Sequence, residues 1–441
     1  MPETYLDNAA TTPLDPEVLA AMSPFLAGPE GSFGNPSARC RRGVAAADAV
    51  DRARRQLARV LGAPAEGIVF TGGGTEANNL AVFGAARARR IDREAGSGGK
   101  LRGPGHILIG ATEHPSVREA ALALVSEGSG GAGGAGGAER FEVEVAGLAD
   151  DGGLDLDDLA ARLRPETVLV AQMLVNNEFG TVYPVRELSR RVRARSPRAW
   201  LHVDAVQGLG KLELSLAALG ADSLAISAHK LHGPQGVGAL ACAVPPAGSA
   251  GKGELQPLLY GGGQERGLRS GTENVAGIVG FGEAATRAEA RRAITTDVWQ
   301  ELRGTLLAGL AQLPGVSILT PGSQTHAPLP SILAAVFAGP PAEVLMHHLE
   351  ERGVIVSAGS ACQASSEHIS PALAALGLST EEARRLLRIS FSHLTTAQDI
   401  ERLLGALREV RTQLARAASP AATPSTTTKS GTNAGSEGKG A

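Results

Sequence analysis

Short, fully apolar runs alternate along the first half of the chain with stretches whose apolar residues recur every three or four positions. The runs Gly67–Phe70, His106–Ile109, Phe141–Val145, Val168–Val175, Trp200–Val203, Ser223–Ile226 and Ala239–Ala241 read as strands. Several are apolar on both faces, as strands of a buried parallel sheet are. Between them, residues 44–61, 76–89, 156–163 and 185–192 carry helical spacing. Strand–helix alternation of this kind predicts a mostly parallel sheet of seven strands covered by helices on both sides. From about residue 267 the texture changes. Helical patterns dominate over 277–313, 342–352, 380–387 and 396–416, with a few short strands between. The expected architecture is α/β: a large domain over 14–264, and a smaller α+β domain built from 1–13 and 265–416.

Two stretches carry no such pattern. Residues 128–137 read GSGGAGGAGG, and the tail over 417–441 is rich in Ser, Thr, Gly and Ala. Neither has side chains to bury, so a flexible surface insertion and a disordered tail are expected. Apolar residues make up 43% of the 441, enough for a large core, but aromatics are only 3%, so that core must be aliphatic. The net charge of −3 excludes a nucleic-acid binder driven by bulk charge. Three cysteines exclude a disulfide scaffold. No run is long enough to span a membrane, and the first residues lack a basic stretch followed by an apolar one. A cytoplasmic enzyme is the expectation.

Three motifs stand at strand ends. Thr71-Gly72-Gly73-Gly74-Thr75-Glu76 follows one strand and opens a helix. A glycine-rich turn there presents free N–H groups and the positive end of a helix dipole, a cradle for phosphate, although an ordinary flexible turn has the same composition. Asp204, in His202-Val203-Asp204, ends an apolar strand, where a carboxylate must hold a ligand or cap the next helix. Lys230, in Ser227-Ala228-His229-Lys230, ends the next strand, where an amine can form a Schiff base with an aldehyde. The His229-x-x-His232 spacing lacks a third ligand, so no metal is expected. A phosphate cradle, a strand-end carboxylate and a strand-end lysine are together the parts that pyridoxal 5'-phosphate requires.

Further motifs lie in the same order along the chain. They include Tyr5-Leu6-Asp7-Asn8-Ala9-Ala10-Thr11-Thr12-Pro13, Gly34-Asn35-Pro36-Ser37, Thr112-Glu113-His114, Asn176-Asn177-Glu178-Phe179-Gly180, Arg269-Ser270-Gly271-Thr272 and Ser357-Ala358-Gly359-Ser360-Ala361-Cys362. With the three strand-end motifs they resemble the cysteine desulfurases of the class-V aminotransferase group, fold type I of the pyridoxal-phosphate enzymes, over about residues 5–414. The spacing after Cys362 resembles the long-loop members that serve iron–sulfur cluster assembly.

The resemblance implies a role for each matching residue. Lys230 would hold the cofactor, Asp204 its pyridine nitrogen, and His114 would stack on the ring and carry protons. Asn177 and Gln207 would contact the ring oxygen. Gly74, Thr75, Ser227 and His229 would hold the phosphate. Thr272 would reach the phosphate of a partner subunit in a homodimer. Asn35, Asn177 and Arg388 would face the substrate, L-cysteine, with Arg388 on its carboxylate. Arg388 could instead be a surface charge at a helix end, with Arg384 and Arg385 close by. Cys362, in a small polar stretch, would take the sulfur as a persulfide and pass it to an acceptor protein such as an iron–sulfur scaffold. A selenocysteine lyase or a class-V aminotransferase on the same scaffold is the alternative. Cys242 reads as a buried, inert thiol, and Cys40, among arginines, has no assigned role.

Overall fold

A computed structural model describes residues 3–26, 28, 30–96, 104–129, 141–246, 255–322, 327–359 and 369–418. The glycine-rich stretch from 130, Cys362 and the tail from 419 lie outside the described residues.

In chain order, strand β1 (Thr4–Tyr5) precedes helices α1 (Pro16–Leu26) and α2 (Arg41–Leu61). Strand β2 (Ile68–Thr71) leads into α3 (Gly74–Gly96), β3 (Gly105–Gly110) into α4 (Pro115–Ser129), and β4 (Phe141–Ala146) into α5 (Leu156–Arg162). Then come β5 (Thr167–Met173), α6 (Val185–Arg195), β6 (Trp200–Asp204), α7 (Leu216–Leu219), β7 (Ser223–Ser227) and β8 (Gly238–Cys242). The seven strands β2 to β8 form one sheet in the order β2-β8-β7-β6-β5-β3-β4. Only the pairings of β8, with β2 and with β7, are antiparallel. All seven runs that the apolar pattern marks as strands are strands of this sheet.

Every residue of β2, β3, β5, β6, β7 and β8 is buried, which is why these segments read as continuous apolar runs. Strand β4 lies at the edge and alternates. Its Glu142 and Glu144 pair with Arg164 and Arg162, a charged border that discourages pairing with another chain. Cys242 is fully buried in β8.

The rest of the chain forms α8 (Val275–Leu310), β9 (Val316–Leu319), β10 (Ile332–Phe337), α9 (Ala342–Glu350), β11 (Val354–Ile355), β12 (Ser357–Ala358), α10 (Pro371–Ala375), α11 (Thr380–Arg384), β13 (Leu386–Ser390) and α12 (Ala397–Ala418). Strands β12-β13-β10-β9 make an antiparallel sheet, and β11 pairs with β1. Helix α8 joins two cores. Ile278, Phe281, Ala284, Ala285 and Ala288 pack in the large one, and Trp299, Leu302, Leu306 and Leu310 in the smaller one. One element departs from the expectation. The helical pattern over 380–387 ends at Arg384, and Leu386–Ser390 is a strand. The Ser379–Glu382 capping box starts a helix of one turn. The apolar residues after it are claimed by pairing with β10.

The ends of the large sheet are held by a buried ion pair. Arg54 of α2 donates to both carboxylate oxygens of Glu265 at 2.8 and 2.7 Å, and Glu265 also accepts the Phe70 N–H of β2. The Arg54 guanidinium lies over the Phe70 ring at 4.9 Å. Removing one partner of such a pair leaves a charge buried without compensation. Glu265→Gln is expected to lose about 3 kcal/mol of stability, read as a lower urea midpoint. Arg55→Gln, at an exposed position of the same helix, should stay within about 0.5 kcal/mol of the parent.

Candidate active site

The carboxyl ends of β2, β3, β5, β6 and β7 point the same way, and the loops leaving them surround one cavity of about 250 Å³. Ligand sites in open α/β sheets lie at this edge. The cavity is lined by Gly74, Thr75, His114, Asn177, Asp204, Gln207, Ser227, His229, Lys230 and Arg388. Ten of the residues that the motifs single out, spread over more than 300 positions, thus meet in one place.

Asp204 is buried and each of its carboxylate oxygens accepts a hydrogen bond. Oδ1 accepts the Val206 N–H at 3.0 Å, and Oδ2 accepts Asn78 Nδ2–H at 2.8 Å. Asp204 thus caps a turn and not a helix, since the next helix begins only at Leu216, and it lines the cavity. Behind Asn78 runs a chain of hydrogen bonds with a fixed direction. Trp200 Nε1 can only donate, and it donates to Ser223 Oγ. Ser223 Oγ lies 2.9 Å from His202 Nδ1, and His202 Nε2 lies 2.9 Å from Asn78 Oδ1. Since the Asn78 amide nitrogen faces Asp204, its oxygen must accept from His202 Nε2–H. Burial pushes His202 down to about 3, so it stays neutral.

The second hydrogen of the Asn78 amide goes to Ser116 Oγ at 2.8 Å. Ser116 then donates to His114 Nδ1, which also accepts the Ser116 backbone N–H. That leaves His114 with its proton on Nε2. Burial holds His114 below its ordinary value, against the pull of the Asp204 charge.

Lys230 ends a short turn after β7. Its Nζ donates to the backbone carbonyls of Ala9 and Ala10, at 2.7 and 2.6 Å. The N-terminal segment is thereby pinned over the site, helped by Thr12, which donates through both its N–H and Oγ to the His229 carbonyl. His229 is pushed down to about 4 by burial, with the charges of Lys230 and Lys211 adding.

The glycine-rich turn fits an anion. Its N–H groups open α3, and a Cβ at Gly74 would lie 2.7 Å from Val206 Cγ2, so only glycine allows this approach. Facing it, the Ser227 Oγ is buried without a partner. An orphaned hydroxyl beside a helix N-terminus is what a phosphate oxygen would satisfy. These donors, with a carboxylate and an amine in the same cavity, fit the cofactor that the motifs imply.

Arg388 is buried in β13, opposite Ala334 and Ser357, and not at a helix end. It donates to Asp7 Oδ1 at 2.7 Å and to the Asn177 carbonyl at 3.0 Å, and its buried Nε has no partner. Arg384 is exposed and Arg385 pairs with Glu381. Asn35 and Thr272 are not brought into this cavity. Both are exposed, and Asn35 Oδ1 accepts the Ser37 N–H. Cys40, also exposed, precedes α2, where the Gly43 backbone N–H lowers its thiol first among several contacts.

Four further lining residues have no role assigned to them by the sequence. Asn78 and Ser116 sit on helix faces that only the fold brings to Asp204. Glu113 is buried, and burial together with the Asp204 charge holds it well above the usual carboxylate range, opposed by the Met173 N–H. Glu178 is pushed up to about 7 by burial, opposed by the Ser370 hydroxyl and by Arg388. Its place in the Asn-Asn-Glu motif was visible, but nothing there announced a raised carboxyl.

A model of the aminotransferase class-V family matches residues 4–403. The chain belongs to that family. It is 37% identical over 420 residues to the cysteine desulfurase IscS of Dictyoglomus turgidum, covering 95% of this chain and 96% of that one. It is 38% identical over 417 residues to the cysteine desulfurase IscS of Haemophilus influenzae, covering 94% of each. Among solved structures, a NifS-like protein is 32% identical with a TM-score of 0.78, over 93% of this chain and all of that one. SspA in complex with cysteine is 32% identical with a TM-score of 0.70, over 89% of this chain and all of that one. The class-V match spans both cores, and the ten lining residues lie within it.

A carboxyl raised in the folded state stabilises it below the unfolded value and ceases to do so as pH rises through the folded value. For Glu178 that window runs from about 4.5 to about 7. In the cofactor-free protein, Glu178→Gln should therefore gain about 1–2 kcal/mol over the parent at pH 8 relative to pH 5. Paired thermal melts at the two pH values measure it, and an equal difference at both would refute the assignment.

Proposed function

We propose that the chain is a cysteine desulfurase, which takes the sulfur of L-cysteine onto Cys362 as a persulfide and releases L-alanine. The observation that carries this is the meeting of Lys230, Asp204, His114 and Arg388 in one cavity. The names of its relatives support the choice of substrate. Bound pyridoxal phosphate supplies an aldehyde for an amine and a ring that draws electrons from the substrate's α-carbon.

Lys230 would hold that aldehyde and, as a free amine, would move the proton at the substrate's α-carbon. Asp204, which accepts from Asn78 and Val206, would hold a proton on the ring nitrogen. His114 would face the ring and offer Nε2–H. Gly74, Thr75, Ser227 and His229 grip the phosphate, and Asn177 and Gln207 the ring oxygen. Arg388, with Nε unspent, takes the substrate carboxylate. The Cys362 thiolate attacks the substrate sulfur, the carbon–sulfur bond breaks with its electron pair staying on carbon, and a sulfur–sulfur bond remains on the enzyme.

Gly359 and Ser370, described residues on either side of Cys362, line the cavity, which supports delivery of that thiol to the site. In this reading a homodimer completes each site, with the exposed Thr272 reaching the partner's phosphate. The acceptor of the persulfide is a protein thiol, as on an iron–sulfur assembly scaffold.

Incubation with isotopically labelled cysteine and subsequent peptide mapping tests the reading. Labelled sulfur is expected on Cys362 and not on Cys40 or Cys242. Cys362→Ser should lose at least about 100-fold in alanine formation, and undiminished turnover in that variant would refute the persulfide step. Arg388→Lys keeps the charge but not the fork. It should raise KM for cysteine about tenfold with a smaller fall in kcat, as loss of uniform substrate binding does.

A further inference from the structure

A second lysine lies beside the site and has no part in the chemistry described above. Lys211 comes after β6, next to the turn Gly208-Leu209-Gly210, and is buried. Its Nζ donates to Gln207 Oε1 at 2.6 Å. Among the described residues no carboxylate lies within ion-pair distance of it. The charged and titratable groups around it are Lys230, His229, Arg388, His232, Arg291 and His393. Burial, with the charges of Lys230 and Arg388 adding, pushes Lys211 down to about 7. An amine kept out of water among cations, without a counter-ion, is a costly arrangement unless it serves another group.

The group it serves is Gln207. A side-chain amide can flip, and the two orientations present opposite hydrogen-bonding faces. Here both ends are decided. Lys211 donates to the amide oxygen. The Ala9 carbonyl only accepts, and it receives Gln207 Nε2–H at 2.9 Å. The same carbonyl accepts from Lys230. Gln207 lines the cavity, and its second N–H is the donor left to face a ligand.

We propose that Lys211 is a positioning residue that locks the Gln207 amide with its N–H toward the cavity, and so favours negative charge on the oxygen of the group bound there. This rests on Lys230 holding pyridoxal phosphate. The small cavity beside Lys211, about 30 Å³, leaves room for a longer cation.

The test compares the cofactor-loaded parent, Lys211→Met and Lys211→Arg by tracking visible absorbance from pH 6 to 10. An amide N–H held toward the ring oxygen favours the deprotonated chromophore, and the Lys211 charge adds to this below its own value of about 7. The midpoint of Lys211→Met should therefore rise by about one pH unit, and Lys211→Arg should restore it. A purely packing role would not move that midpoint. Where Lys211→Met gives no cooperative melt, Lys211→Gln, which lacks the charge, is titrated instead. A folded, loaded variant without the cation whose midpoint matches the parent overturns the proposal. Borohydride reduction separates the two claims. A parent with no adduct on Lys230 would sink the cofactor reading itself, whereas adducts in every variant with unchanged midpoints would sink only the role of Lys211.

Discussion

A carboxylate taken out of water at the end of a buried strand must be matched by donors that cannot turn away. Asp204 meets this requirement through Asn78, whose amide is held by His202 on one side and by Ser116 on another. The orientation of that one amide carries two consequences. It keeps Asp204 supplied with an N–H, and through Ser116 it leaves the His114 proton on Nε2. The hydrogen bonding of Asp204 and the tautomer of His114 are thus both tied to one amide.

The same network shapes the charge balance of the cavity. Lys230, Lys211 and Arg388 bring positive charge into it or beside it. Asp204 and Asp7 bring negative charge, and Asp7 is engaged with Arg388. Burial holds Glu113 well above the usual carboxylate range, and His202 and His229 are pushed far below neutrality. The result is a site biased toward anions, with orphaned donors at Ser227 Oγ and Arg388 Nε. A ligand with a phosphate at one end and a substrate carboxylate at the other matches that bias.

Much of this was legible in the sequence, for a physical reason. Strands buried on both faces must be apolar throughout, so the seven runs of the large sheet announced themselves, and the strand-end motifs could be placed on them. Arg388 was harder. The capping box before Glu382 and the apolar pair Leu386-Leu387 extend a helical pattern that tertiary pairing interrupts, so the arginine stood at an apparent helix end. Helices α1 and α4 were not marked, although Val117, Ala120, Ala121 and Leu124 of α4 are buried at helical spacing. Asn78, Ser116 and Lys211 were out of reach for another reason. Asn78 is 126 positions from Asp204 and 38 from Ser116, and no local pattern encodes such contacts, whereas Lys211 is only four positions from Gln207 and gains meaning once Gln207 is seen to line the cavity.

The phosphate turn shows how the fold corrects a local conflict. Glu76 lies in the first turn of α3, where its charge would repel the anion that the turn is built to receive. Its carboxylate instead accepts the Gly72 N–H and the Arg269 guanidinium, at 2.7 and 2.9 Å. The first contact tightens the turn and the second cancels the charge. Arg269 is delivered by the segment that Glu265 fastens to Arg54 and Phe70. The segment Glu265–Arg269 thus touches both places: Glu265 meets Arg54 and the Phe70 N–H, and Arg269 meets Glu76 at the turn.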